Sequence, residues 1–444
     1  MTTKSPEIHT DLEQCVEALL GRVGKKVVIA GGFGRPPHLF NELFRRAKED
    51  PSIQLTIITG ASFSRPGGSN DLEKRFLDPF VERVFGNLPE LAYVKPYLRG
   101  QLPSNIEIVE VFLQAGGFLN NRHAQQNFIY SNFTHWLRDM VEQGCNVFSQ
   151  MTCRRTVDGR PMYSMSGDAY ALDILPRLQA LRDLGRPVAV VGQVNEELPF
   201  MYNDAMVPPE TYDLVLDNPA YSHTLLGPPS PPVDTTDYMI GLNASSLLPD
   251  GGTLQIGIGS LGDAITYGCI LRQEQNQHYR SLLAEAGILD RFGHIIDEIG
   301  GTDSFDKGLY GSTEMFADGF RHLYNHGILK REVYPDAALQ RLVNSGKIGR
   351  AVTPETLDSL VQAGAVNNRL SCEDVDFLKK FGIFRHDLSF DDGRLRTGTG
   401  EEIARLQRQE ARFINTTIMV SLLGAACSDG LDDGRKISGV GGQY

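Results

Sequence analysis

Three glycines in the run GIGSLG, Gly257, Gly259 and Gly262, follow the strand-like TLQ and precede the helix-like DAITYGCILRQ in a 444-residue chain. Backbone amides at such a strand-to-helix turn point outward with the positive end of the helix dipole behind them, so they can hold a phosphate or a developing oxyanion. The same glycines can serve only to let helix and strand approach closely. A dinucleotide site needs an acid about 20 residues on, at the end of the next strand. The next strand-like segment, HIIDEIG, brings Asp297 and Glu298 well beyond that spacing, which leaves nicotinamide-dependent oxidoreduction resting on GIGSLG alone. Glu314, in GLYGSTEMFADGF, follows a glycine turn beside Ser312 and Thr313. By itself it reads as a solvated acid or a helix N-terminal acid. Asn415, and Gly439, Gly441 and Gly442 in SGVGGQY, read alone as turn residues. His123 and His135, among Gln125, Gln126, Asn132 and Arg138, form a polar group that could touch substrate; the preferred reading is a hydrogen-bonded face where two domains meet. The chain carries no GxSxG elbow, HExxH helix or Walker loop, so serine hydrolase, zinc hydrolase and P-loop NTPase chemistries lose their signatures.

The elements that would position these residues are those of an α/β protein. KKVVIA, QLTIIT, IEIVEVFL, CNVFSQM and PVAVVGQV are short apolar β-rich runs, separated by amphipathic stretches such as HLFNELFRRAKED, THWLRDMVEQG and ALDILPRLQALRDLG. That alternation predicts a mostly parallel sheet with helices on its faces. Gly144, Gly287, Gly327, Gly346, Gly364 and Gly382 each follow a helical stretch and precede an apolar residue, which predicts left-handed glycines closing helices rather than a functional repeat. The proline-rich GPPSPPVDTTD, residues 227–237, divides the chain into an N-terminal domain over 1–226 and a C-terminal domain over 238–444. The second begins with a capped helix, a strand and the glycine turn. Residues 330–412 are helix-rich and charged, and read as a helical insertion before the strand-like RFINTTIMVSLLG.

Length alone predicts two or more domains with real cores. The six cysteines, Cys15, Cys145, Cys153, Cys269, Cys372 and Cys427, fall into neither a CxxC pair nor a zinc spacing, so reduced thiols and no metal are expected. A formal net charge of −12 disfavours a nucleic-acid partner. There is no long apolar run for a membrane. The N-terminus lacks the basic-then-apolar order of a secretory signal, and Thr10 with Glu13 reads as a capping box, so a cytoplasmic protein is expected.

In several places together the chain resembles the acetyl-CoA hydrolase/transferase family, the coenzyme A transferases that include acetate and 4-hydroxybutyrate CoA-transferases. GGTLQIGIGSLGDAI is similar to the family's strand, glycine loop and helix, and GSTEMFADG to the segment bearing its catalytic glutamate. FINTTIMVSLLG and SGVGGQY resemble two later blocks, and AQQNFIYSNFTHWLRDM and VVGQVNEELPFMYNDA segments of the first domain. The resemblance implies two CoA-transferase-like (NagB/RpiA-like) open-sheet domains. It implies that Glu314 attacks a thioester carbonyl and expels coenzyme A thiolate, leaving an acyl-glutamyl anhydride. The thiolate returns to the glutamyl carbonyl and releases the first acid; a second carboxylate then reverses the steps. Coenzyme A is thus a substrate, no metal is required, and the partners are an acyl-CoA and a small carboxylic acid, with a homodimer expected. Carried over by position, Gly257, Ile258, Gly259, Ser260, Leu261, Gly439, Gly441 and Gly442 would contact coenzyme A, and Asn415 would lie near the reacting carbonyl.

Two departures accompany the resemblance. LRQEQNQHYRSLLAEAGILDRF, between the glycine loop and Glu314, reads as an inserted helical excursion. Family members also continue well past the glycine block, whereas this chain stops at Tyr444. The second domain is therefore expected to be incomplete, through truncation, a separate chain supplying the rest, or an inactive copy that at most binds acyl-CoA.

Overall fold

The computed structural model describes residues 5–440 apart from 61, 132–134, 166–170, 203–204, 228–230, 314–316, 335, 364 and 366–398. The described residues divide into two compact units, one built from the chain before Pro228 together with the segment from Thr417 onward, the other from the chain between.

Strands of the first unit are β1 (Glu7–His9), β2 (Lys26–Gly31), β3 (Gln54–Gly60), β4 (Ile106–Phe112), β5 (Val147–Val157), β6 (Arg160–Ser164), β7 (Ala189–Val194), β8 (Met206–Val207) and β9 (Leu214–Leu216). Seven run parallel in the order β1-β9-β7-β5-β2-β3-β4, and β6 and β8 add antiparallel pairing at β5. Side chains alternate across the sheet, as the twofold period of a strand requires. Val27 and Ile29 pack into one core with Leu19 of helix Leu12–Val23 and Phe40 and Leu43 of helix Pro37–Glu49. Val28 and Ala30 pack into the other with Trp136, Ile174 and Leu178, from helices Trp136–Glu142 and Ala171–Asp183. The five apolar runs read from the sequence are the inner strands β2, β3, β5 and β7 and the edge strand β4. Buried on both faces, they needed no alternation to be recognised.

Chain order makes the space between β2 and β5 the sheet's switch point. From β2 the chain crosses to β3 and β4 on one side, then returns to build β5, β7 and β9 on the other. At the sheet's far end Asp213, nearly buried, accepts from Arg22 Nη1 at 3.2 Å, Arg182 Nη2 at 2.6 Å and the Val190 amide at 2.9 Å, pinning helices of both faces to the β7–β9 edge.

The second unit has a smaller sheet: β10 (Thr253–Ile256) lies between β11 (Tyr310–Gly311) and β12 (Ala411–Ile414), all parallel. Glycines bring its helices backbone to backbone. A Cβ on Gly241 of helix Thr235–Ser246 would sit 2.5 Å from the Ala264 carbonyl carbon, in helix Ser260–Glu274. Arg272 on that helix is fully buried. Its Nε donates to the Asp303 carbonyl at 2.7 Å and its Nη1 to those of Ser245 and Leu248 at 3.0 and 2.7 Å, with the guanidinium 4.2 Å over Phe305. The inserted helical excursion is helices Asn276–Glu285 and Ile288–Ile299, whose Tyr279, Leu283 and Ile296 share a core with Leu242 and Leu271 of the two preceding helices.

Within 330–412 the described part is three helices, Ala337–Asn344, Pro354–Gln362 and Thr399–Gln407, followed by β12. Gly144, Gly287, Gly327 and Gly346 all have φ between 65° and 83°, the left-handed helix ends expected of them; Gly364 and Gly382 lie outside the described residues. Three expectations need correction. The first helix is capped by Asp11, whose Oδ1 accepts from the Gln14 amide at 2.9 Å, so Thr10 sits one residue too early for the capping role. RFINTTIMVSLLG is not one strand: β12 stops at Ile414, and β13 (Met419–Val420) pairs antiparallel with β14 (Ala426–Cys427). The segment from Thr417 packs with the first unit, although the sequence assigned everything from 238 to 444 to one domain. Gln125 fastens it: its Nε2 donates to the Lys436 carbonyl at 2.9 Å and its Oε1 accepts from the Lys436 amide at 2.7 Å.

Cys15, Cys145 and Cys269 are buried, which pushes each thiol up to about 12, and the described cysteines are free. Among the described residues no group of His, Cys, Asp and Glu could hold a metal ion, and no helix is long and apolar enough to cross a membrane.

Candidate active site

Because β11, β10 and β12 are parallel, their C-terminal ends share one edge of the small sheet, the edge where open α/β sheets place ligands. From β10 the chain enters Gly257, Ile258 and Gly259 and turns directly into helix Ser260–Glu274. Gly259 precedes the helix with φ +127°, a conformation side chains rarely adopt, and no side chain caps the helix. Among the described residues, no heavy atom lies within 4 Å of a Cβ added at Gly257 or Gly259. Gly262 is different: a Cβ there would lie 2.3 Å from the Gly257 carbonyl oxygen. Of the three glycines, Gly262 therefore permits helix and loop to touch, whereas Gly257 and Gly259 border open space.

Register sets the neighbours of this loop. Ile256 is paired with Ile414, so Gly257 and Asn415 leave their strands abreast. Asn415 Nδ2 donates to Gln255 Oε1 at 3.0 Å and Gln255 Nε2 donates back to Asn415 Oδ1 at 3.2 Å, a reciprocal amide pair that fixes Asn415 on β10. On the other side Leu254 is paired with Gly311, and the Ser312 amide donates to the Leu254 carbonyl at 2.9 Å. Glu314 lies outside the described residues; the chain is described up to Thr313 and again from Ala317, which precedes helix Asp318–Asn325. Asp263, in the first turn after the glycine loop, has its carboxyl raised by burial and, less, by Asp318 nearby. Asp318 itself is held low by its hydrogen bond from Arg321, at 2.8 Å.

The family model for the acetyl-CoA hydrolase/transferase C-terminal domain matches residues 396–444. The 4-hydroxybutyrate coenzyme A transferase of Clostridium kluyveri is 30% identical over 101 residues, 23% of this chain. Over these segments the chain is similar to the acetyl-CoA hydrolase/transferase family. The match spans 22% of the length of that curated relative. Two point mutants of RipA have the same fold at TM-score 0.55. One is 18% identical, covering 98% of this chain and 77% of that one; the other is 17% identical, covering 95% and 75%. The mixed α/β units with parallel open sheets are the architecture shared with those structures.

The residues assigned by resemblance to the family divide by location. Gly257, Ile258, Gly259, Ser260 and Leu261, together with Asn415, sit at the strand-end edge of the second unit. Gly439 belongs to the first unit, where a Cβ would lie 2.8 Å from both the Phe112 Cα and the Val111 carbonyl oxygen, so its glycine lets the C-terminal segment lie on β4. Gly441 and Gly442 fall outside the described residues. The polar group around His123 is dispersed: the His123 ring bonds the Ile108 carbonyl at 3.2 Å, Arg138 pairs with Asp139 at 2.8 Å, and Asn132 is outside the described residues. Gln255, the partner of Asn415, was missed because its role is a register relation between residues 160 positions apart.

Proposed function

We propose that the chain acts on acyl-coenzyme A thioesters with Glu314 as nucleophile, moving coenzyme A from one acyl group to a carboxylic acid, and hydrolysing the thioester when water replaces the acceptor. The observation that carries this reading is the shared strand-end edge: the open, uncapped glycine loop and Asn415 leave adjacent parallel strands, and the chain of Glu314 continues from the third. A carboxylate is a weak nucleophile, so it needs fixed donors where the oxyanion develops; amides of Gly259, Ser260 and Leu261 suit that task. The relative from Clostridium kluyveri is named for transfer of coenzyme A, which supports the same class of reaction.

Coenzyme A fits this edge in one orientation better than another. Open space over Gly257 and Gly259, with exposed Ile258 and Tyr267 nearby in sequence, suits the thioester and its neutral arm. The carboxyl of Asp263 in the first helical turn opposes a diphosphate there. Cytoplasmic location and a homodimer complete the proposal.

The test is kinetic. Glu314→Ala should abolish transfer from acetyl-CoA to a carboxylate acceptor, and Glu314→Asp, with its carboxylate withdrawn by one methylene, should retain a small fraction of kcat with KM little changed. Full activity in the Ala variant would overturn the assignment.

A further inference from the structure

A cavity lies in the first unit at its sheet's switch point. Phe33 and Arg35 follow β2, and Phe63 and Arg65 follow β3, in the repeated pattern Phe-x-Arg-Pro. The two phenylalanine rings stand 6.3 Å apart, and with Phe85, Met151 and Leu225 they line a cavity of about 70 Å³, several times what one water needs. Three residues that line it each carry a polar atom buried without a hydrogen-bond partner among the described residues: Arg65 Nε, Glu90 Oε1 and His223 Nε2. Protein interiors rarely leave such atoms unmade, and each costs free energy until something fills it.

The tautomer of His223 says what is wanted. Its Nδ1 lies 2.9 Å from the Thr224 carbonyl, which can only accept, so Nδ1 carries the proton. Burial lowers the ring's pKa, which keeps it neutral. Nε2 is therefore an acceptor, as is Glu90 Oε1, while Arg65 Nε is a donor. A hydroxyl can donate to an acceptor such as His223 Nε2, whereas a carboxylate could not, and a carboxylate beside Glu90 would meet like charge.

We propose that this cavity binds an apolar group ending in a hydroxyl, with the O–H donated to His223 Nε2 and the apolar body held by Phe33, Phe63 and Phe85. The inference stands on the first unit alone and goes beyond the reading of Glu314. It is tested by binding rather than turnover, so failure of the glutamate chemistry would leave the result unchanged.

The probes are phenol and its near-isostere fluorobenzene, which lacks the donor. Titrated into the full chain with ¹⁵N-labelled histidine, phenol should bind about 10-fold more tightly and move the Nε2 resonance of His223; fluorobenzene should leave that resonance in place. His223→Phe should erase the preference. Equal binding of the two probes, binding of neither, or an unmoved His223 resonance on saturation with phenol would overturn the proposal. The resonance is read in the unaltered protein, so the test holds even if the buried Phe variant does not fold.

Discussion

Replacing Gly262 with alanine separates loop placement from mere stability. The new Cβ would lie 2.3 Å from the Gly257 carbonyl oxygen, against an ordinary C···O approach of about 3.3 Å, so the loop and the helix must part by about 1 Å. Such overpacking costs about 1–3 kcal/mol, and the gain in helix propensity returns about 1 kcal/mol; the net loss in unfolding free energy is about 0–2 kcal/mol. A displacement of this size at positioned catalytic amides costs about 100-fold in rate. Gly268→Ala is the control on the same helix. Its Cβ meets Ser245 Oγ at 2.8 Å and the Gly241 carbonyl at 2.9 Å, so it carries a similar packing penalty away from the loop. Thioester consumption and urea unfolding measured on both variants should show comparable stability but a rate lost only in Gly262→Ala. Equal rates in the two variants, whether both high or both low, would refute the reasoning.

Asp213→Ala should lower the unfolding free energy by about 2–3 kcal/mol, because it strands the Val190 amide and releases Arg22 and Arg182, which are partly exposed and can rehydrate; urea unfolding checks this. For Asp263, the folded carboxyl is raised by burial first and by Asp318 second. The native state then holds its proton longer than the unfolded chain, and stability falls as pH rises from about 4, the ordinary aspartate value, through the raised one. Asp263→Asn should accordingly gain stability over the parent as pH rises through that window and match it at the acid end, read as urea midpoints across pH; a gap that widens toward acid would contradict the sign.

How much could be read from the sequence follows from what kind of information each feature uses. The strands β2, β3, β4, β5 and β7 were legible because full burial makes them continuous apolar runs. The helix-ending glycines were legible because the left-handed conformation selects their residue type. The antiparallel strand β6 was missed although Asp158-Gly159, with φ of 51° and 76°, joins it to β5 in a turn whose residue types signal a hairpin. Strands β1, β8 and β9 are two or three residues long and carry no period to read. The glycine loop stood out locally, but its relation to Asn415 depends on parallel register across a long intervening sequence. Residues 33, 63, 85, 151 and 223 converge only through the crossover at the switch point. Their sequence signal, Phe-x-Arg-Pro after consecutive strands, becomes meaningful once those strands are known to be neighbours.

The central claim is that Glu314 becomes covalently attached to coenzyme A during turnover. Incubation with acetyl-CoA, borohydride trapping and intact and peptide mass spectrometry test it most directly. The account predicts a coenzyme-dependent mass change mapping to Glu314 and absent from Glu314→Ala. An unmodified Glu314 in folded protein that still consumes the thioester, or an adduct mapping to another residue, would contradict it.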